Sequence, residues 1–264
     1  GFDQNDSTSE NVDVPKYYEN LQIDSLKGKC IGVPNQLMSD SIDKDIRDVI
    51  DSSLKTFETL GASVDFFDFP LIDEALSTYY IIAPAEVSSN LSRFDGVRYG
   101  KRNKDASYLK QMIQTSRQQG FGDEVKRRII LGTYVLSSGY YDAYYGKAQQ
   151  VRAVVSEKFS QLLKKYDFIC SPTAPTTAFE KGKNINDPMQ MYLSDIATIP
   201  VNLAGLPALS IPCGLDSTGN PIGMQMIGSW FQELNLLQAA NLFEKEIQFK
   251  PKNLFDLEGV LNAV

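Results

Sequence analysis

The sequence predicts an α/β fold, a mixed β-sheet flanked by helices. Three observations predict it. Short apolar runs rich in β-branched and aromatic residues, each bounded by proline or glycine, recur along the chain. Longer segments, whose apolar residues return every three or four positions, lie between them. Over residues 29–69 a run, a periodic segment and a second run follow one another, which is the order of a right-handed βαβ crossover.

Each element has its own justification. Residues 1–28 are polar and turn-rich and read as a connector. Residues 29–34 (KCIGVP) form a short buried strand stopped by proline. Residues 43–60 place Ile46, Val49, Ile50, Leu54, Phe57 and Leu60 on one helical face, and Gly61 ends the helix. Val64, Phe66, Phe67 and Phe69 make residues 62–69 a strand. From 71 to 166 the pattern is helical. One helix runs through Tyr79, Tyr80 and Glu86 towards Leu91, a second starts near Asp123, and the longest covers about 140–166. Residues 93–104 (RFDGVRYGKRNK) interrupt them as a basic, glycine-containing loop. Strands return at 167–171, 207–213 and 223–228, and a helix at 234–247 closes the pattern.

Composition removes several classes of function. A chain of 264 residues is long enough for one large domain or two small ones and can bury roughly 70–75% of its unfolded surface. No apolar run approaches the ~18 residues of a membrane span. The net charge of −7 argues against a broad nucleic-acid footprint. Histidine is absent, which excludes Ser-His-Asp and Cys-His catalysis and any histidine metal site. Cys30, Cys170 and Cys213 lie far apart without metal-ligand spacing and read as reduced, mostly buried thiols of a cytoplasmic protein. No phosphate loop, dinucleotide fingerprint or EF-hand pattern occurs. The chain opens on Gly1 without a visible signal peptide, as though it began inside a longer polypeptide.

Several side chains are candidates for chemistry. Asp123–Arg127 and Glu124–Arg128 form opposite-charge pairs four residues apart. The spacing fits a solvated helix face with weak ion pairs, or an arginine that leaves the face to grip a carboxylate with its planar fork. Residues 171–177 (SPTAPTT) follow a strand, where open α/β sheets place their sites; they also fit a rigid turn. Asp195 sits between apolar residues in a short helical stretch after Asp187-Pro188, as a pocket carboxylate or a helix-surface one. Tyr79 and Tyr80 fit core aromatics as well as ligands. Ser88-Ser89 and Ser137-Ser138 lack the glycine-rich strand-to-helix turn that exposes an activated hydroxyl.

Taken together, residues 6–9 (DSTS), 79–86 (YYIIAPAE), 89–100 (SNLSRFDGVRYG), 120–130 (GFGDEVKRRII), 132–145 (GTYVLSSGYYDAYY), 172–177 and 200–214 (PVNLAGLPALSIPCG) resemble the amidase signature family over about residues 1–248. Within it they are most similar to its glutamine-hydrolysing members that serve tRNA-dependent amidotransferases, residues 124–145 most pointedly. The resemblance implies a glutaminase whose ammonia passes to a partner subunit, where glutamate on a mischarged tRNA is activated with ATP and amidated. It implies partner subunits B and C, ATP and Mg on the partner with no cofactor on this chain, contact with charged tRNA through the complex rather than through this chain, no membrane, and a cytoplasmic or organellar location.

Such enzymes use a serine nucleophile with a second serine and a lysine, and no histidine. No Gly-Gly-Ser-Ser-Gly-Gly run is present, so the chain is read as the carboxyl-terminal part of one such domain, with no catalytic residue of its own. Its substrate-binding residues fall, by motif, on Arg128 for the α-carboxylate of glutamine, Asp195 for its α-amino group, and Tyr79. A fragment of a general amidase and a non-catalytic partner-binding domain are the alternatives.

Overall fold

The computed structural model describes residues 1–182 and 188–250. The chain divides into two compact units, Gly1–Ile72 with Glu157–Val264, and Asp73–Ser156.

The first unit is built on a five-stranded sheet in the order β2-β1-β3-β5-β4, formed by β1 (Cys30–Pro34), β2 (Ser63–Phe67), β3 (Phe168–Pro172), β4 (Ala208–Leu215) and β5 (Pro221–Ile227). β1 pairs in parallel with β2 and β3, and β5 runs antiparallel to β3 and β4, so the sheet is mixed as the sequence predicts. Helix α1 (Lys44–Thr59) connects β1 to β2. Its apolar stripe buries Ile46, Ile50, Leu54 and Phe57. The Phe57 ring stacks on Phe243 of α8 (Glu233–Ile247) at 4.7 Å and meets Phe168 of β3 edge-on at 5.9 Å. Sheet and two helices thereby share one aromatic core. Next to Ile31 and Val33, Gly32 leaves room for Tyr166, because a Cβ there would lie 2.6 Å from that ring. The connector is tied down: Gln238 donates to the Asn20 carbonyl, and Asn241 and Lys245 reach Gln22.

The second unit is helical, with α2 (Ile72–Leu91), α3 (Leu109–Gly120), α4 (Asp123–Val135), a π-helical turn (Tyr141–Gly146) and the start of α5 (Lys147–Lys165). The single helix expected over 140–166 is thus two differently wound segments. α3 is an additional element in the stretch read only as generally helical. The seam of α2 with α4 is very close: a Cβ on Gly132 would lie 1.9 Å from the Pro84 carbonyl oxygen. Short helices α6 (Pro188–Leu193) and α7 (Ile199–Ala204) precede β4; Asp187 lies outside the described residues.

Candidate functional site

The acidic first turn of α4 suits a helix amino terminus, where carboxylates meet the positive end of the dipole. Glu124 from that turn organises both arginines. Its Oε2 accepts from Arg127 Nη1 at 2.8 Å and its Oε1 from Arg128 Nε at 3.0 Å. Asp123 pairs with Lys126 at 3.4 Å rather than with Arg127, which corrects one of the two spacings expected above. Three residues apart proved as reachable as four.

The two arginines then diverge. Arg127 keeps 61% of its side chain exposed and Arg128 only 28%. Arg128 turns towards α2, where its Nη1 donates to the Tyr79 hydroxyl at 3.2 Å. Tyr79 is itself held by Tyr80, edge to face at 5.0 Å. Hydrogen bonding to Tyr79, and then to Glu124, raises the Arg128 pKa and keeps the guanidinium protonated. These two contacts use two of its five N–H donors, and the rest can meet a ligand carboxylate. The structure therefore brings Tyr79 and Arg128 together across 49 residues of sequence. It also supplies Glu124 as the group that fixes the guanidinium plane.

Asp195 belongs to the other unit. It lies in the turn between α6 and α7, not inside a helix, and it is exposed. Its carbonyl accepts from the backbone N–H groups of Thr198 and Ile199, both at 3.0 Å, and so starts α7. Two residues on, Gln225 of β5 donates from Nε2 to the Ala197 carbonyl at 3.0 Å and to Ser171 Oγ at 3.2 Å. A buried glutamine between Met224 and Met226 thus pins both the Asp195 turn and the start of the 171–177 loop to the sheet. Sequence reasoning missed Gln225. Its signal was a lone amide in an otherwise apolar strand. The loop is further fixed by a hydroxyl pair, Thr173 Oγ1 to Ser210 Oγ at 2.8 Å, over Gly223, whose absent side chain leaves space for both.

The serine pairs have structural roles. Ser88 Oγ meets Thr133 Oγ1 at 2.8 Å across the α2–α4 seam, and Ser137 Oγ donates to the Tyr134 carbonyl at the end of α4. The thiols are free. Burial pushes the Cys170 pKa up, and that of Cys213 to about 11. Among the described residues no group of three or more Cys, Asp or Glu could hold a metal, and no helix is long and apolar enough to cross a membrane.

The mixed five-stranded sheet flanked by helices is that of an amidase-type α/β protein, and the chain belongs to the amidase family, which matches residues 1–237. It is 51% identical over 249 residues to the A subunit of glutamyl-tRNA(Gln) amidotransferase of Brevibacillus brevis, covering 94% of this chain and 51% of that one. The corresponding protein of Listeria welshimeri is 50% identical with the same coverage. The crystal structure of the A subunit of glutamyl-tRNA(Gln) amidotransferase from Thermotoga maritima superimposes with a TM-score of 0.71 at 38% identity, over 93% of this chain and 48% of that one. A bacterial aryl acylamidase of the amidase signature family shares the fold with a TM-score of 0.71 at 21% identity. The chain spans about half the length of the relatives it matches.

Proposed function

We propose that the chain is the substrate-binding part of a glutaminase subunit in a tRNA-dependent amidotransferase, of the kind that converts Glu-tRNA(Gln) to Gln-tRNA(Gln). The observation that carries this reading is Arg128, half-buried and clamped in one orientation by Tyr79 and Glu124. A guanidinium held in this way suits the bidentate grip of an α-carboxylate, and an uncharged amide has no use for it. Arg128 takes the α-carboxylate of glutamine, Tyr79 keeps its guanidinium in plane, and Asp195 takes the α-ammonium group. The serine nucleophile, its partner serine and the lysine stand on polypeptide that this sequence does not contain. There the serine hydroxyl attacks the side-chain amide, ammonia leaves, and water releases glutamate from the ester. Subunits B and C, charged tRNA, ATP and Mg belong to the assembly around it, in a cytoplasmic or organellar setting.

The test is complementation. The chain alone is expected to release no ammonia from glutamine, since loss of a covalent nucleophile and its base removes many orders of magnitude of rate. Co-expression with the remaining part of a related full-length glutaminase subunit is expected to restore release. Steady ammonia release by the chain alone, surviving removal of contaminants, would contradict the assignment.

A further inference from the structure

Residues 93–104 take no part in the site above. They carry five cations, Arg93, Arg98, Lys101, Arg102 and Lys104, in a protein whose net charge is −7. Two carboxylates lie nearby, Asp95 and Asp105. Asp95 is committed to the loop's own fold, its Oδ1 accepting from the Val97 N–H at 2.8 Å.

The loop is built rather than slack. Gly96 N donates to the Tyr99 carbonyl at 2.9 Å. Its φ of +79° suits glycine, and a Cβ there would strike Ser116 Oγ at 2.7 Å. Arg102 braces the turn from within by donating to the carbonyls of Gly96 and Val97 at 2.7 and 3.1 Å. Helix α3 holds the loop at three further points. Arg117 donates to the carbonyls of Leu91 and Phe94, Ser116 Oγ accepts from Asn103 N, and Gln119 Oε1 accepts from Asn103 Nδ2.

The scaffold holds its charges and rings outward. All five cations are exposed. Among the described residues none of the five is held in an ion pair, whereas Arg127, Arg128 and Lys165 each meet a carboxylate. Tyr99 is 52% exposed beside Phe94, ring centroids 5.9 Å apart. Tyr108, 63% exposed, lies four residues beyond the loop. Cations suit phosphates, and exposed rings among them suit unstacked bases. An acidic protein surface would explain the charges but leave the rings without a task.

We infer that the 93–104 loop is an RNA-contact surface, engaging phosphates through Arg98, Lys101 and their neighbours and a base through Tyr99. The footprint is local and compatible with an acidic chain. The choice of tRNA as probe rests on the amidotransferase reading; the loop's chemistry does not.

The experiment measures binding of an unacylated tRNA transcript to the assembled amidotransferase containing this chain, by fluorescence anisotropy across a salt series. Arg98→Glu with Lys101→Glu is expected to weaken binding about tenfold at low salt and to make the log–log salt slope shallower by roughly 1.5, two contacts' worth. The milder Arg98→Gln with Lys101→Gln should move both readouts the same way by less. Tyr99→Ala is expected to weaken binding several-fold without changing the slope, and Tyr99→Phe to leave it intact. KM for glutamine, measured on the same preparations, should not change. Unchanged RNA affinity and slope in the charge variants would overturn the inference. So would competition by polyglutamate equal to that by RNA, together with indifference to Tyr99→Ala, which would point to an acidic protein partner. RNA binding that depends on the loop in an assembly releasing no ammonia would instead count against the glutaminase reading and leave the loop's role standing.

Discussion

Gly132 shows how much one missing side chain decides here. In an exposed helix interior, alanine in place of glycine stabilises by about 1 kcal/mol. At this position the added Cβ would stand 1.9 Å from the Pro84 carbonyl oxygen, which is main chain and cannot swing aside. Gly132→Ala should therefore destabilise, by about 1–3 kcal/mol, the usual cost of overpacking. Chemical denaturation midpoints read the sign directly, and a stabilised variant would mean the seam is looser than described. The seam matters because Tyr79 on α2 and Arg128 on α4 meet across the same pair of helices. The contrast between the arginines is also a residue-scale matter. Both lie within 3.0 Å of Glu124, yet only Arg128 continues to a tyrosine. Their difference was not legible from i,i+4 spacing. It depends on α2 arriving 49 residues away, and only the resemblance singled out Arg128.

Among the elements, the β4–β5 hairpin carries a pH dependence. At its tip Asp216 accepts from the Thr218 hydroxyl and N–H, from Asn220 N and from Asn220 Nδ2. The Thr218 hydroxyl first, then Thr177 and Asn220, hold its pKa well below the usual carboxylate range. The folded state therefore favours the deprotonated form. That contribution is fully present above the ordinary carboxylate pKa of ~3.9 and is lost as pH falls towards the lower folded value. The stability gap between the protein and Asp216→Asn should narrow from pH 7 to pH 3, as read by urea midpoints; an equal gap at both would remove this account of the hairpin. Legibility also varied by element. The β1–α1–β2 unit stood out because its apolar periods are strong and its ends are marked by Pro34, Gly61 and Pro70. α3 did not, because LKQMIQTSRQQG offers three large apolar residues and gains its place by bonding to the loop before it. The π-helical turn was invisible because aromatic residues continue a helical spacing across it, and a change of winding leaves the composition untouched.

For the whole molecule, strand existence and sheet class were readable from runs and breakers, while strand order was not. β3 sits between β1 and β5 through pairings of distant segments, which local pattern does not encode. The same holds for Tyr79, Arg128 and Asp195, proposed to bind substrate, which lie in two compact units and are singled out only by resemblance. The Gln225 bridge between Ser171 and Ala197 shows the sheet fixing the turn that carries Asp195, something a lone buried amide only hints at. With the chain covering about half of its relatives, its contribution is best defined by what it recognises. The central claim is that Arg128 recognises the charged head group of glutamine. The direct measurement is steady-state kinetics of Arg128→Ala in a protein restored to full length, with glutamine and with a simple carboxamide lacking the head-group charges. The account predicts a raised KM for glutamine and a loss of roughly 2–4 kcal/mol in kcat/KM, with the simple amide little changed. Arg128→Lys should recover only part, and Arg127→Ala should leave KM nearly untouched, since that side chain is a surface partner of Glu124. Equal losses for glutamine and the simple amide would contradict the claim and leave Arg128 as a support of the α2–α4 seam.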